Sequence, residues 1–222
     1  MRDKVTRWIV VAALAVSLPA ISGCLFGAET LKIEYLPEVM PPRLVHDEPA
    51  PTVAVNSFYD DRIKGDKVGE GYNMYGGVSD TFVADKSVTK VIEDAIVQQL
   101  TGMGFKVVRT SGWDLTPEGI SEYVNADILL GGRLKVMWVE SRVGLLTVSV
   151  SATTRFLVVL ADVKEKKILW SGEFEGTEKS EEIVRTVGSM EAALNRAMSR
   201  AVDSLVRNET FCRALTVVKV RF

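Results

Sequence analysis

The sequence predicts an α+β fold in which helices pack on one face of a largely antiparallel sheet. Three consecutive segments between residues 128 and 174 alternate apolar and polar residues with a period of two. Two other segments, 85–100 and 189–207, carry apolar residues at helical spacing. Strands with one buried face show the first pattern. Helices that precede and follow such strands in the sequence pack together on that buried face as a second layer. We therefore expect a two-layer domain with the order β-α-β-(α)-β-β-β-α.

The first half of the domain supplies a strand, a helix and a second strand. Residues 52–58 (TVAVNSF) predict a short strand, and the helix over 85–100 is followed by two glycines that mark its end. Residues 105–109 (FKVVR) predict the next strand. A threonine, a proline and a glutamate then form an N-cap and first turn, which predicts a short helix over 116–124.

The second half is a meander of three strands and a last helix. The apolar residues that share one parity predict its buried face: Ile128, Leu130, Leu134, Val136, Trp138, Leu146, Val148, Val150, Phe156, Val158, Leu160, Ile168, Trp170 and Phe174. Trp138 and Trp170 are therefore expected in the core. The charged run 162–167 predicts a solvated turn, and the final run 216–222 predicts an additional strand.

The first 23 residues have the organisation of a signal peptide. Three basic residues precede an uncharged, mostly apolar run from Trp8 to Leu18, and Pro19 ends it. This run is too short to cross a hydrocarbon core of about 30 Å. The segment therefore predicts export and removal rather than a permanent membrane helix.

Residues 21–24 (ISGC) resemble the lipobox of bacterial lipoproteins, in which small residues precede the lipidated cysteine. The resemblance implies a diacylglycerol on the Cys24 sulfur and an N-acyl chain such as palmitate, and we expect no other cofactor. An ordinary signal peptide with Cys24 near its cleavage site is the alternative. Leu25 follows where an aspartate would signal inner-membrane retention in enterobacteria. The expected location is therefore the outer membrane, with the protein facing the periplasm.

Residues 25–51 hold five of the seven prolines, which favours extended chain. At about 3.1 Å per residue, such a tether would span up to roughly 80 Å. One part, residues 30–36, alternates enough to be an edge strand instead. The expected organisation is a removed signal peptide (1–23), an acylated cysteine with its tether (24–51) and one periplasmic domain (52–222).

The whole chain resembles the YajG-like bacterial lipoproteins, an uncharacterised envelope family. The resemblance rests on the lipobox, the proline-rich segment and the strand TVAVNSF running into Asp60-Asp61-Arg62. A glycine-containing loop, a helix ending in Gly-Met-Gly-Phe and long alternating strands continue it. The resemblance implies a location and a fold, and it supplies no catalytic residue.

The composition disfavours an enzyme or a nucleic-acid-binding protein. A formal charge of -2 provides no basic field for phosphates. The single histidine, His46, lies in the predicted tether, which argues against Ser-His-Asp catalysis, although a serine–lysine dyad stays open. Residues 65–77 lack the third glycine of a dinucleotide site and the Gly-Lys-Ser/Thr of a P-loop, and Asp60 and Asp61 lack EF-hand spacing. We expect no enzyme activity and no metal.

Two surfaces are candidates for partner binding. One is the glycine-rich segment 65–77, expected to be a flexible loop, which carries Tyr72 and Tyr75. The other is the sheet face opposite the helices. Its polar residues on two neighbouring strands are Arg133, Lys135, Thr147, Ser149, Ser151, Thr153 and Arg155. Antiparallel sheets commonly leave such a face in water, so solvation and coverage by a partner both stay open.

These features predict a membrane-anchored, non-enzymatic accessory or interaction module of an envelope protein complex. Protein–protein interaction would use one of the two candidate surfaces, while the lipid binds the membrane. The alternative is a periplasmic carrier of a small hydrophobic ligand or cell-wall fragment. That alternative requires an apolar cavity lined by Phe156, Trp170 and the last helix, and a solid core would disfavour it.

Overall fold

The computed structural model describes residues 28–46 and 49–217. The lipobox cysteine and the predicted signal peptide lie outside these residues, as does 218–222. The elements are Ala28–Leu31 (β1), Thr52–Asn56 (β2), Tyr59–Asp60 (β3), Lys67–Tyr72 (β4), Val78–Ala84 (β5), Val88–Gly102 (α1), Lys106–Thr110 (β6), Ile128–Val143 (β7), Val148–Asp162 (β8), Lys167–Glu182 (β9), Val187–Arg207 (α2) and Glu209–Val217 (α3).

The long strand β7 organises the nine-stranded sheet of the described chain. One edge of β7 pairs along its length with β8, and β8 pairs with β9, so these strands form an antiparallel meander. The other edge is shared: β2 and then β6 join the first part of β7, β3 pairs with its middle, and β4, β5 and β1 join its last part. The predicted α+β class and the largely antiparallel sheet are confirmed.

The helices cover one face of the sheet, here called the inner face. Alternate residues of β8 from Val148 to Val158 are buried there, as the period of two predicts. The close approach of α2 to β9 depends on Gly176, because a Cβ at this position would overlap the Ala197 carbonyl oxygen. The main core therefore lies between the meander and α2.

The N-terminal segment is packed on the helices rather than extended away from them. Four backbone N–H groups at alternate positions donate to side chains spaced four residues apart on α2. The pairs are Lys32 to Glu191 (2.7 Å), Glu34 to Asn195 (3.0 Å), Leu36 to Ser199 (3.1 Å) and Glu38 to Asp203 (3.0 Å). An extended chain advances in two residues about as far as a helix does in four, so the two periods match. We call residues 32–45 the strap.

The strap also contacts α1 and its C-terminal turn. Ile33 is fully buried, and the Tyr35 hydroxyl donates to Asp203 (2.8 Å) while it accepts from Gln99. Burial and the bond to Asp203 raise the pKa of Tyr35 above its ordinary value. Farther along, the Val45 N–H donates to the Met103 carbonyl (3.1 Å). The structure therefore differs from the predicted tether over 28–46, where proline content indicated extension but gave no sign of docking.

Three further predictions are wrong. The expected loop 65–77 contains all of β4, and its bulged ladder with β5 accommodates the glycines. No helix forms over 116–124. The chain turns at Leu115, just before that segment, with a positive φ of 71°, and the segment packs on the outer face of the sheet. Thr216 and Val217 end α3 instead of beginning a strand, and the rest of that run lies outside the described residues.

Several strand residues do not lie on the buried face that the sequence predicts for them. A β-bulge at Lys135 shifts the register of β7 against β8, so Val136 and Trp138 point to the outer face instead of the core. A second shift at the start of β9 places Ile168 in an outer cluster. Leu146 lies exposed in the turn between β7 and β8.

The strap ladder predicts a measurable contribution to stability. Asn195→Ala removes the acceptor of the Glu34 N–H and the donor to the Lys32 carbonyl (3.1 Å), and it leaves both groups poorly satisfied. We expect a loss of about 1–2 kcal/mol in the free energy of unfolding, measured by urea denaturation. Trypsin should also cleave after Lys32 faster than in the wild type.

Arg207→Ala is the matched control, because this residue is exposed on the same helix. Its effect should stay within about 0.5 kcal/mol. Equal stability and equal cleavage rates for Asn195→Ala and the wild type would show that the strap does not depend on the ladder.

Candidate functional site

The outer face of the sheet is covered at one end and open over the rest. The segment 111–127 packs Trp113 and Ile120 against Leu129 and Val159 in a second hydrophobic cluster. Beyond this segment, the strands continue to the other end of the sheet with their outer face uncovered. The uncovered surface formed by the later part of β7, the first part of β8 and the adjoining part of β9 is here called the open face.

Trp138 lies at the centre of the open face. The bulge at Lys135 turns its indole outward, and Thr153 is its partner across the ladder with β8. The Lys64 ammonium lies 5.0 Å from the centre of the indole ring, which is a cation–π distance. A large aromatic side chain is thus half-buried at a position that polar neighbours surround.

A shallow groove of about 320 Å³ runs beside this indole. The loop between β3 and β4 forms one wall, and β7 forms its floor. Strand β4 adds two side chains, and the complete lining is Arg62, Ile63, Lys64, Lys67, Tyr72, Lys135, Val136, Met137, Trp138 and Glu140. Ile63 is 98% exposed, so the wall presents an unprotected apolar side chain next to the tryptophan. Aromatic and apolar groups within a polar surround are typical of binding surfaces.

The two predicted cations, Lys135 in the groove and Arg133 beside it, share one carboxylate of the same chain. Lys135 pairs with Asp61 at 3.0 Å, and Arg133 reaches the same carboxylate at 3.4 Å while its guanidinium lies 4.7 Å from the ring centre of Tyr59. The hydrogen bond from Lys135, with Arg133 in support, holds the pKa of Asp61 below its ordinary value. These contacts fix the positions of both predicted cations.

The two predicted tyrosines occupy different places. Tyr72 ends β4 in the groove, where its hydroxyl donates to Glu70 (2.8 Å) and its ring lies 4.6 Å from the Arg142 guanidinium. The hydrogen bond to Glu70 raises the pKa of Tyr72. Tyr75 is 88% exposed in the turn between β4 and β5. Tyr72 therefore lines the groove beside the open face, whereas Tyr75 lies at the end of the sheet.

The predicted polar row on β8 lies on the open face. Ser149, Ser151 and Thr153 face Arg142, Glu140 and Trp138 in the register with β7. Arg155 forms an ion pair with Glu175 at 2.8 Å on β9. Thr147 precedes the strand and closes the β7–β8 turn through its carbonyl, which accepts from the Gly144 N–H (2.8 Å).

Sequence reasoning predicted only Tyr72 and Lys135 among the lining residues of the groove, and it missed Ile63, Lys64 and Trp138 in particular. The period of two places Trp138 in the core because it takes no account of the bulge at Lys135. The run Val136-Met137-Trp138-Val139, which is apolar at both parities, is the local sign that simple alternation does not continue there. Ile63 and Lys64 lie in a charged loop, and nothing in the local sequence indicates that this loop folds over the indole.

Aromatic rings fill the interior where the carrier alternative needs a cavity. Phe156 is fully buried, and its ring centre lies 6.4 Å from that of Phe58 and 6.1 Å from that of Phe174. Trp170 stacks on Phe174 at 5.8 Å and meets Phe211 of α3 edge-on at 5.3 Å. This packing disfavours a ligand between the sheet and the last helices.

Cys212 is half-buried on α3, and its thiol donates to the Val206 carbonyl (3.2 Å). Burial raises the pKa of this thiol, so it is held in its unreactive protonated form. Among the described residues, no helix combines the length and the apolar character needed to cross a membrane. The same part of the chain holds no cluster of three or more metal-ligating side chains.

Comparisons with known proteins show the fold. A crystal structure of a Xanthomonas campestris protein assigned to DUF330 matches with a TM-score of 0.53 and 14% identity, over 81% of this chain and 92% of that one. A Helicobacter pylori protein described as a neuraminyllactose-binding hemagglutinin homolog matches with a TM-score of 0.53 and 11% identity, over 86% of this chain and all of that one. No protein-family model and no curated protein matches the sequence.

The ion pair between Asp61 and Lys135 predicts how the pKa of Asp61 changes when its partner is removed. Because the folded pKa of Asp61 is lowered, the pair contributes stability above the unfolded pKa and loses it as the pH falls through the folded pKa. Lys135→Ala should raise the Asp61 pKa toward its ordinary value in a carboxyl-carbon NMR titration. Lys67→Ala, which removes a cation that pairs with Glu70 at 3.7 Å, should leave the Asp61 pKa unchanged. An equal rise in both variants would contradict the pairing.

Proposed function

We propose that this protein is a lipid-anchored accessory component of the bacterial envelope that binds a partner protein through its open face. In this proposal, Cys24 carries the acyl chains that hold it on the outer membrane, and the folded part works in the periplasm without catalysing a reaction. Membership of the YajG-like family belongs to the same proposal.

Support for the anchor comes from the order of features at the N-terminus. A basic segment, a short apolar run and the residues ISGC follow one another as they do in bacterial lipoproteins. Two or more long acyl chains give durable membrane attachment, so a spanning helix is not needed.

Support for partner binding comes from the chemistry of the open face, and the outward-turned Trp138 is the observation that carries it. A half-buried indole beside the exposed Ile63 resembles the apolar centre of a protein interface, where a few aromatic residues supply most of the binding energy. The surrounding Ser/Thr row and paired charges provide the polar margin that such interfaces have. These features favour a protein over a hydrophobic small molecule.

The same contacts argue against a catalytic role for this face. Lys135 is hydrogen-bonded to Asp61, and the Tyr72 hydroxyl donates to Glu70. A lysine or tyrosine that acts as a base or nucleophile needs a lowered pKa, whereas the pKa of Tyr72 is raised.

The anchor is tested by comparing wild type with Cys24→Ala. Mass spectrometry of the N-terminal peptide should find acyl groups in the wild type and none in the variant. Membrane fractionation after a high-salt wash should retain the wild type, and the partner should co-purify after crosslinking only when the anchor is intact. An unmodified Cys24 in the wild type would contradict the lipid anchor.

The open face is tested by Thr153→Glu, which places a charge directly across the ladder from Trp138. Burying an unpaired charge in an interface should weaken partner capture about tenfold or more, while the free energy of unfolding changes by less than about 0.5 kcal/mol. A photocrosslinking residue at position 153 should label the same partner.

Gln98→Glu is the matched control, because it adds one negative charge at an exposed position of α1 in the helical layer. It should leave partner capture unchanged, and a crosslinker at position 98 should not label the partner. Equal labelling from both positions, or equal capture by Thr153→Glu and the wild type, would exclude the open face as the binding site.

A further inference from the structure

Three chain segments meet at the end of the sheet away from the 111–127 cover, and each presents exposed apolar side chains. They are the β4–β5 turn, the β7–β8 turn and the connection from β9 to α2. The register places them side by side, because Tyr72 pairs with Arg142 and Val148 pairs with Glu182. We call their six exposed apolar residues the apolar rim. They are Met74, Tyr75, Leu145, Leu146, Ile183 and Val184, and their exposed fractions range from 54% to 88%.

The rim is held together by polar contacts just behind it. Arg185, next to Val184, forms an ion pair with Asp80 of β5 and donates to the Ser79 hydroxyl (3.1 Å). Gly71 of β4 leaves the space that this guanidinium occupies, because a Cβ there would overlap it. The connection to α2 is thereby fixed to the β4–β5 hairpin. The apolar side chains therefore project from segments that these contacts hold in place.

The described chain begins at the same end of the sheet. β1 runs parallel to β5, with Ala28 opposite Thr81, so the N-terminal end of β1 lies on the side of the β4–β5 turn. Cys24 is four residues before Ala28, and four extended residues span at most about 14 Å. Because the strap is docked on α2, residues 28–46 cannot act as a longer spacer without breaking its ladder of hydrogen bonds.

We infer that the apolar rim inserts into the surface of the bilayer that holds the Cys24 acyl chains. The inference rests on the lipid anchor of the proposed function and adds a second, non-covalent contact with the membrane. A domain whose N-terminus is kept within about 14 Å of the lipid has this end facing the bilayer. Apolar side chains there lose contact with water by entering the headgroup and acyl boundary, where such groups lie about 5–10 Å deep.

The charges near the rim favour an apolar contact over electrostatic attraction. Arg142 is paired with Glu140, Arg185 is paired with Asp80, and Glu181 and Glu182 follow on β9. This set has no positive excess to attract anionic lipid. Insertion of the rim should therefore not require anionic lipid, and high salt should not weaken it.

The test uses the acylated full-length protein in vesicles of phosphatidylethanolamine and phosphatidylglycerol that contain spin-labelled lipid. A fluorescent probe is attached at Leu145→Cys in a Cys212→Ala background. The matched control is the same probe at Tyr123→Cys, which is 96% exposed at the opposite end of the sheet. Quenching by a shallow spin label should be about threefold or more stronger at position 145 than at 123, and unchanged in high salt.

A double variant of the rim and a control variant test whether the quenching depends on the rim itself or on any exposed apolar residue. Ile183→Glu with Leu146→Glu should abolish the excess quenching at position 145, because charged groups oppose insertion. Ile63→Glu, which alters an equally exposed apolar residue on the groove wall, should leave it unchanged.

Several outcomes would overturn the inference. Equal quenching at positions 145 and 123 would show that the rim stays in water. A blue-shifted but unquenched probe at position 145 would show that protein, such as a second copy of the chain, covers the rim. Mass spectrometry of the same sample distinguishes the two proposals. Acylated Cys24 without excess quenching would contradict the insertion of the rim alone. An unmodified Cys24 would contradict the lipid anchor as well.

Discussion

The ladder between the strap and α2 determines where the chain leaves the folded body. Backbone N–H groups on one edge of the strap donate to helix side chains at four-residue spacing. Asn195, Ser199 and Asp203 are polar residues buried in an otherwise apolar helix face, which is unfavourable unless their hydrogen bonds are made. The strap therefore completes the helical layer. Its docking also brings the start of the described chain to the β4–β5 end of the sheet.

The bulge at Lys135 has a comparable effect on the other face. One extra residue on β7 moves Trp138 from the parity of the core to that of the solvent, while Met137 and Val139 take the buried positions. A strand of this length would otherwise present the same alternation throughout. The single irregularity gives the sheet an apolar centre on the face that the helices do not cover.

The sequence predicts the features that depend on local periodicity. Alternation in β8, the two long helices and the confirmed α+β class all follow from residues that repeat every two or every 3.6 positions. What it does not predict depends on contacts between distant segments. The strap needs α2, more than 150 residues away, and β4 needs β7 to support a strand rich in glycine. Trp138 marks the limit of local periodicity, because the period of two holds on either side of Lys135 and fails across it.

The positions of the rim and the open face bear on how the two proposed contacts combine. The strands of the meander run from the 111–127 cover to the rim, so a rim seated on a bilayer makes them point away from the membrane. The open face then stands beside the membrane rather than against it, and a partner in the same membrane or in the periplasm can reach Trp138. Strand β9, whose described pairing is with β8, carries Glu173, Glu175, Lys179 and Glu181 on its outward side. Charges on an edge strand oppose pairing with another sheet. Partner binding across the face, rather than extension of the sheet at β9, is therefore the arrangement that the charge pattern favours.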